Sequence, residues 1–87
     1  MFLHLGESTV IKTDEIIGIF DIDNTTVSKH TRDFLSTATK AGKVVNVSME
    51  LPKSFIICKD DKTGEEKVYI SQLSPSTLIK RYTDGIN

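Results

Sequence analysis

The sequence predicts one α+β domain, residues 1–87, in which a small mixed, mostly antiparallel sheet is combined with one central helix and a short C-terminal helix. Three observations support this fold class. Several short runs of apolar and β-branched residues are separated by polar or glycine-containing turns, which is typical of strands. Only one long stretch repeats its apolar residues at helical spacing. A chain of 87 residues also has the length of a single compact domain.

The first part of the chain predicts three strands. Residues 2–5 form a brief apolar run that Gly6 closes, and residues 9–12 continue after the turn as a second strand. Residues 16–20 are nearly all apolar and rich in β-branched isoleucine. Because this run is too short for a typical helix, the pattern favours a strand that is buried on both of its faces.

The middle of the chain predicts the long helix, over about residues 27–41. Thr25, Thr26 and Ser28 are candidate N-cap residues, because a side-chain hydroxyl at that position accepts a backbone N–H of the first turn. Gly42 is a typical helix stop. The apolar residues that recur at helical spacing are Val27, Phe34, Leu35 and Ala38.

The segment after the helix predicts a half-buried strand over residues 43–49. Its residues alternate in polarity, so that Val45, Val47 and Met49 share the buried side. Pro52 ends this strand, because proline cannot donate a hydrogen bond to a sheet.

The last third of the chain predicts a hairpin and then a short helix. Residues 54–59 and 67–70 are apolar runs joined by the polar, glycine-containing segment 60–66. Ser74 is placed to cap the final helix, and Pro75 suits its first turn. The predicted apolar side of that helix consists of Leu78, Ile79 and Tyr82.

Composition and charge exclude several classes of protein. Eleven basic and twelve acidic residues give a net charge of −1, which excludes a generally basic nucleic-acid coat. No apolar run approaches the ~20 residues of a membrane span, and the first residues lack the pattern of a signal peptide, so we expect a cytoplasmic protein without membrane contact. Cys58 is the single cysteine, and His4 and His30 lack a metal-ligand spacing. We therefore expect neither a metal site nor a cofactor.

One motif suggests an enzyme. Residues 16–27 resemble the nucleophile motif of haloacid-dehalogenase-type phosphatases, in which Asp21 would attack phosphorus and Asp23 would act as acid and base beside magnesium. Asp60 and Asp61, after the next apolar strand, resemble the acidic metal motif of that family. The chain is too short for the several βα crossovers of that fold, each ~30 residues long. The favoured alternative is that Asp21 and Asp23 are the polar end of a buried strand and the turn that follows it.

A different family resembles the chain from end to end. The matching segments are residues 4–6 (HLG), 16–21 (IIGIFD), 52–54 (PKS), the isoleucine pair at 56–57, and 69–81 (YISQLSPSTLIKR). In this order and spacing they resemble the Rem-type extracellular-matrix regulators of Gram-positive bacteria, and the RemB branch more closely than the RemA branch. The resemblance implies a small α+β subunit that assembles into a closed ring.

The resemblance also implies a function without catalysis. Relatives of the RemA branch bind DNA at matrix-gene promoters, so the implied role is transcriptional regulation of biofilm matrix genes. The expected partners are other copies of this chain and double-stranded DNA, with no small-molecule substrate. A ring is physically attractive, because a repeated heterologous interface buries apolar surface that a short chain leaves exposed.

Four cations are candidate DNA contacts, and no residue is a candidate for catalysis. Lys53 stands where the resemblance places the DNA-binding loop, and Arg81 matches a basic position of the last helix. Lys40 and Lys43 flank Gly42 and would extend a basic rim. The alternative for each is a structural or solvated cation, with Arg81 suited to a helix C-terminus or to an ion pair between subunits.

Two departures from the RemA branch keep a second function open. The arginine-rich loop of that branch is replaced here by residues 49–53, in which only Lys53 is basic. Glu50 in that loop, and Glu15 ahead of the strand at residues 16–20, stand at or near positions that are basic in RemA-like relatives. Because these carboxylates repel phosphate, the alternative function is an oligomeric protein-interaction module that does not bind DNA.

Overall fold

The computed structural model describes residues 1–22 and 28–83, which form an α+β fold as the sequence predicts. The elements in chain order are β1 (Phe2–Gly6), β2 (Thr9–Lys12), a 3-10 turn (Thr13–Glu15), β3 (Ile16–Asp21), α1 (Lys29–Lys40), β4 (Val44–Asn46), β5 (Ser54–Lys59), β6 (Glu66–Ser71) and α2 (Pro75–Thr83). Neither described helix is long and apolar enough to cross a bilayer.

The strands form two sheets. β1 and β2 pair as an antiparallel hairpin, and the other four strands form a sheet in the order β3-β5-β6-β4. In this second sheet β3, β5 and β6 are antiparallel neighbours, and β4 runs parallel to β6. The predicted β5–β6 hairpin is confirmed, with Ser54 opposite Ser71 and Lys59 opposite Glu66. The mixed, mostly antiparallel character of the sheet is confirmed as well.

The four-stranded sheet lies between two layers. Because side chains alternate along a strand, Phe55 and Ile57 of β5 face α1, while Ile56 and Cys58 face α2 and the β1–β2 hairpin. The larger buried cluster lies on the hairpin side and contains Leu3, Leu5, Ile11, Val47, Ile56, Cys58 and Leu78. The smaller cluster, under α1, contains Ala38, Phe55 and Val68.

The position of β3 corrects the prediction of a strand buried on both faces. Within the described residues β3 pairs only with β5, so it is an edge strand. Opposite Ile57 and Cys58 the register shifts, which leaves Ile17 as an extra residue between Ile16 and Gly18. Ile17 is therefore 57 % exposed, and Phe20 is exposed too.

The ends of α1 agree with the sequence signals that the structure describes. The Ser28 hydroxyl accepts a hydrogen bond from the backbone N–H of Thr31 at 3.1 Å, which caps the helix. The other candidate caps, Thr25 and Thr26, lie outside the described residues, as does Val27. Gly42 follows the helix with a φ of +72°, the left-handed conformation that favours glycine at a helix stop.

The strand predicted over residues 43–49 is shorter than expected. β4 stops at Asn46, and although Val47 is buried, Met49 is fully exposed. The chain returns to the sheet through two backbone hydrogen bonds, from Val47 N to Ile70 O at 2.9 Å and from Lys53 N to Ser71 O at 2.9 Å. Residues 48–53, here called the 48–53 loop, lie outside the strands between those two anchors.

The start of α2 is as predicted, and its apolar side is only partly buried. The Ser74 hydroxyl accepts a hydrogen bond from Thr77 N at 3.2 Å, and Pro75 occupies the first helical position. Leu78 is completely buried, whereas Ile79 and Tyr82 are about half exposed. The helix packs on β1 and β3, and these two side chains lie at the border of that contact.

Candidate functional surfaces

Lys53 lies at one end of the four-stranded sheet. Its backbone N–H donates to Ser71 O, and its carbonyl accepts from Ile22 N at 3.0 Å. These bonds hold the start of β5 against the end of β6 and the residue after β3. The Lys53 side chain is exposed, so the predicted DNA contact is a cation on a fixed backbone.

Lys40 and Lys43 lie together at the C-terminal end of α1. Lys43 N donates to Ala38 O at 3.0 Å, and Lys43 O accepts from Val68 N at 2.9 Å. Both side chains are exposed and suit the negative end of the helix dipole. Lys53 is anchored three residues further along β6, about 10 Å away, and on the opposite flank of that strand.

Arg81 belongs to the other layer of the fold. It lies in the last turn of α2, and its Nη1 donates a hydrogen bond to the backbone carbonyl of His4 at 3.3 Å. The side chain therefore links α2 to β1. Of the four cations predicted as DNA contacts, the fold of one subunit brings only Lys40 and Lys43 together.

The 48–53 loop presents apolar side chains to solvent. Met49 is 101 % exposed and Leu51 is 76 % exposed, more than any other large apolar residue that the structure describes. The loop is shaped by the Ser48 hydroxyl, which accepts a hydrogen bond from Glu50 N at 3.0 Å. Sequence reasoning assigned Met49 to a buried strand face and missed this surface. Pro52 and Glu50 were the signals that the strand had already ended.

A groove of about 290 Å³ runs between β3 and α2. Its walls are Ile16, Ile17, Gly18 and Ile19 of β3 and Ile79 and Tyr82 of α2. The groove exists because the bulge turns Ile17 outward and α2 crosses the edge strand. Sequence reasoning missed this β3–α2 groove, since its two walls are about sixty residues apart along the chain.

An acidic cavity of about 260 Å³ opens near the other end of β5. Carboxylate oxygens of Glu15, Asp60 and Asp61 lie within 4.8 Å of one another. Backbone N–H groups of Thr63 and Lys62 hold the pKa of Asp60 below its usual value, because they bond to its charged form. Oxygen ligands suit hard cations, but exposed carboxylates at this spacing are common without an ion.

The same cavity borders the single cysteine. Burial, and then the charge of Glu15, raise the pKa of Cys58 from 9.0 to about 11. Burial also raises the pKa of Tyr69, with smaller effects from Cys58 and Glu15. A thiol held in its neutral form is a poor nucleophile and a poor metal ligand, so Cys58 is an inert buried thiol.

The phosphatase-like arrangement is not assembled by this topology. β3 and β5 are antiparallel, so Asp21 lies opposite Ser54 while Ile16 lies opposite Cys58. Asp60 follows β5 beyond the Ile16 end, about 20 Å along the strands from Asp21. In the phosphatase motif the two acidic groups would meet at one metal, and here they are at opposite ends of the sheet. Asp23 lies outside the described residues.

Comparison with known proteins identifies relatives that cover nearly the whole chain. The model of the RemA-like family, described as extracellular matrix regulatory protein A-like, matches residues 2–82. Over 81 residues the chain is 36 % identical to Extracellular matrix regulatory protein B of Bacillus subtilis (strain 168). This alignment covers 93 % of the chain and 89 % of that relative. The resemblance seen in the sequence, including its preference for the RemB branch, is thereby confirmed.

Proposed function

Because the chain belongs to the RemA-like family of extracellular matrix regulators, we propose that it is a non-enzymatic, ring-forming regulator of matrix-gene transcription that contacts DNA in the cytoplasm. The observation that carries the proposal is the large amount of apolar surface left on a short subunit. Met49, Leu51 and Ile17 are more than half exposed, and surface of this kind marks interaction sites. A chain of 87 residues gains stability when another copy covers such surface.

Self-association also increases the number of cations that can contact DNA, which is small on a single subunit. The net charge is −1, and of the four candidate cations the fold brings only Lys40 and Lys43 close together on one subunit. Repetition around a ring multiplies such weak phosphate contacts, because each bound subunit raises the effective concentration of the next. We propose that Lys40 and Lys43 form the main contact, with Lys53 adding a second one.

Two measurements test the two parts of this proposal. Light scattering at micromolar concentration is expected to give a mass that is a multiple of 9.7 kDa. Titration of a long duplex at several salt concentrations is expected to give a linear log–log loss of affinity. Each lysine-to-alanine change at Lys40, Lys43 or Lys53 should reduce that slope by about one for every phosphate that the lysine neutralises.

The matched control is Lys62→Ala, which removes an exposed lysine of the β5–β6 turn and should leave the slope unchanged. A single-subunit mass would refute ring formation. No binding at low salt would refute the DNA contact while leaving self-association intact, and an equal effect of Lys62→Ala would show that the attraction is not localised.

A second function is favoured by the chemistry of the 48–53 loop. Glu50 stands between the exposed apolar residues Met49 and Leu51, which suits a protein surface better than a phosphate backbone. In this alternative the assembled chain docks other proteins and does not bind DNA. Duplex retardation by the wild-type protein would argue against it. Capture of a defined protein partner that Leu51→Ser abolishes, without any DNA shift, would favour it over the first proposal.

A further inference from the structure

We infer that the 48–53 loop of one copy inserts Met49 and Leu51 into the β3–α2 groove of the next copy. This inference rests on the self-association proposed above and deepens it, because it names the two surfaces that meet. They belong to different parts of the subunit, so the contact is head to tail.

The groove offers an incomplete apolar surface. Ile17, Ile79 and Tyr82 line it and are 57 %, 49 % and 50 % exposed. Single exposed apolar residues are ordinary on protein surfaces, but contiguous ones around a concave site indicate an interaction surface. The volume of about 290 Å³ is on the scale of a few side chains, not of a folded domain. A short projecting loop fits such a groove.

The 48–53 loop supplies exposed apolar side chains for such a groove, Met49 and Leu51. Its two apolar residues flank one charged residue at the point furthest from the backbone anchors at Val47 and Lys53. The Ser48 hydroxyl bond to Glu50 N fixes the turn before binding. A loop whose ends are already held loses less conformational entropy on binding than a free one, so its apolar contacts contribute more to affinity.

The register of the sheet separates the loop from the groove. Ile22 N bonds to Lys53 O, and Asp21 pairs with Ser54, so the loop lies at the end of β3. The groove begins at Ile16, at the start of that six-residue strand, about 17 Å away. A contact between these two different surfaces is heterologous, and repetition of a heterologous contact closes into a ring when its rotation permits.

Charges around the two surfaces favour one orientation of the loop. On the α2 side of the groove Lys80 and Arg81 lie beside the lining residues, whereas Asp14 and Glu15 precede its β3 wall. Glu50 is therefore attracted to the α2 side and repelled from the start of β3. With Glu50 beside Lys80, the flanking residues Met49 and Leu51 are directed towards the apolar walls.

Site-directed disulfide cross-linking tests the contact directly. The double variant Leu51→Cys, Ile79→Cys is expected to form, under mild oxidation, a ladder of covalent species at multiples of 9.7 kDa. A mixture of the two single variants should give dimers and no ladder. The wild-type protein should not cross-link, because its Cys58 is buried. The matched control, Leu51→Cys with Ser36→Cys, places the second thiol on the exposed face of α1 and should give no ladder.

A charge reversal gives a second readout that does not need a new thiol. Glu50→Lys should weaken self-association by up to about five-fold, the scale of an exposed ion pair, and adding Lys80→Glu should restore it. Glu66→Lys, which changes an exposed carboxylate of β6, is the control and should not be rescued by Lys80→Glu.

The outcomes separate this inference from the proposed function. A wild-type protein that remains a single subunit refutes both. An oligomeric wild-type protein in which the double variant forms no ladder refutes the loop-in-groove contact and leaves ring formation standing. Efficient dimers from Leu51→Cys alone would show loop meeting loop, an isologous arrangement, and would also overturn the inference. A ladder together with charge rescue supports it.

Discussion

β3 and β5 are neighbouring strands of similar apolar content with opposite environments. β5 has a strand on each side and a layer on each face, so Phe55, Ile56 and Cys58 are all buried. β3 pairs only with β5 among the described strands, and Ile17 and Phe20 remain exposed. An apolar run in the sequence thus identifies surface that must be covered, while the position of the strand in the sheet decides whether the same chain covers it.

The buried polar groups beside β5 also have their hydrogen-bond partners within the subunit. At the start of β5 the buried Ser54 hydroxyl donates to Leu73 O at 2.8 Å, and on β6 the buried Ser71 hydroxyl donates to Leu5 O at 2.6 Å. Ser71 also accepts from Leu73 N at 3.0 Å. These bonds join the four-stranded sheet to the hairpin and to the chain entering α2. Around β5, therefore, the buried hydroxyls of Ser54 and Ser71 are hydrogen-bonded within the subunit, and the apolar side chains Phe55, Ile56 and Cys58 are buried there.

The largest expected difference is between truncating Ile56 and truncating Ile17. Ile56→Ala leaves a cavity in the larger buried cluster and should lower the free energy of unfolding by about 2–5 kcal/mol. Ile17→Ala removes a mostly exposed side chain and should cost less than ~0.5 kcal/mol within one subunit. Urea unfolding of both variants beside wild type measures the two effects.

Protein concentration sharpens this test. If β3 is covered by another copy, the cost of Ile17→Ala should grow as the protein is concentrated, since association adds to apparent stability. The Ile56→Ala cost should be present at every concentration. Equal and concentration-independent costs at the two positions would contradict the contrast between the strands.

Local signals in the sequence were sufficient for much of the fold. Gly6, Ser28 and Ser74 mark boundaries that depend on nearby backbone, and the structure has a turn or a cap at each of them. The position of β3 in the sheet depends on pairing with residues about forty positions away, and the composition of a strand does not report it. Met49 was misplaced for a related reason, because alternation continues in the sequence after the backbone has left β6.

The candidate site, like the fold, was predicted only where it depends on residues that are close in the sequence. Lys40 and Lys43 are close in sequence and remain close at one helix end. Lys53 and Arg81 were grouped with them by family resemblance. In the subunit Lys53 lies about 10 Å further along β6, and Arg81 lies in the other layer, against β1. The β3–α2 groove was not predicted, because it forms only when α2 packs beside an edge strand.

The next effect concerns the thiol on the buried strand. Because the pKa of Cys58 is raised from 9.0 to about 11, its thiolate population near pH 8 should be about 100-fold smaller than in the unfolded chain. Alkylation by iodoacetamide in native buffer should be slower by at least that factor than in concentrated urea. Equally fast alkylation in both solvents would show that β5 is as open as β3.

The sign of the linked pH dependence follows from the same shift. The folded thiol holds its proton more tightly than the unfolded one, so its contribution to stability is complete below about pH 9. That contribution is lost as pH rises towards 11. Cys58→Ala should therefore flatten the alkaline decline in the urea midpoint.

A smaller effect is expected at the hydrogen bond that joins the hairpin to β6. Ser71→Ala removes the donor to Leu5 O and leaves that buried carbonyl without its partner, which should cost about 1–3 kcal/mol. Ser36→Ala, at an exposed position of α1, is the matched control and should cost less than ~0.5 kcal/mol. A neutral Ser71→Ala would mean that this bond adds nothing to the apolar packing and the Arg81–His4 bond that also hold the hairpin.

The smallest effect lies where the start of β3 meets the end of β5. Asp60 accepts hydrogen bonds from Lys62 N at 2.8 Å and Thr63 N at 3.0 Å, which lower its pKa and hold the turn after β5. Its stabilisation is complete above the unfolded pKa near 4 and is lost as pH falls through the lower folded value. Asp60→Asn keeps an acceptor oxygen and removes the titration.

The difference in urea midpoint between wild type and Asp60→Asn should therefore be largest near pH 7 and should close as the solution is acidified below pH 4. Asp61→Asn changes a neighbouring carboxylate that, in the described structure, lacks this pair of backbone bonds, and its difference from wild type should not follow that course. If the difference in urea midpoint between wild type and Asp60→Asn stays constant below pH 4, the charge of Asp60 does not hold the turn. The end of β5 would then be no better fixed than the exposed edge at β3.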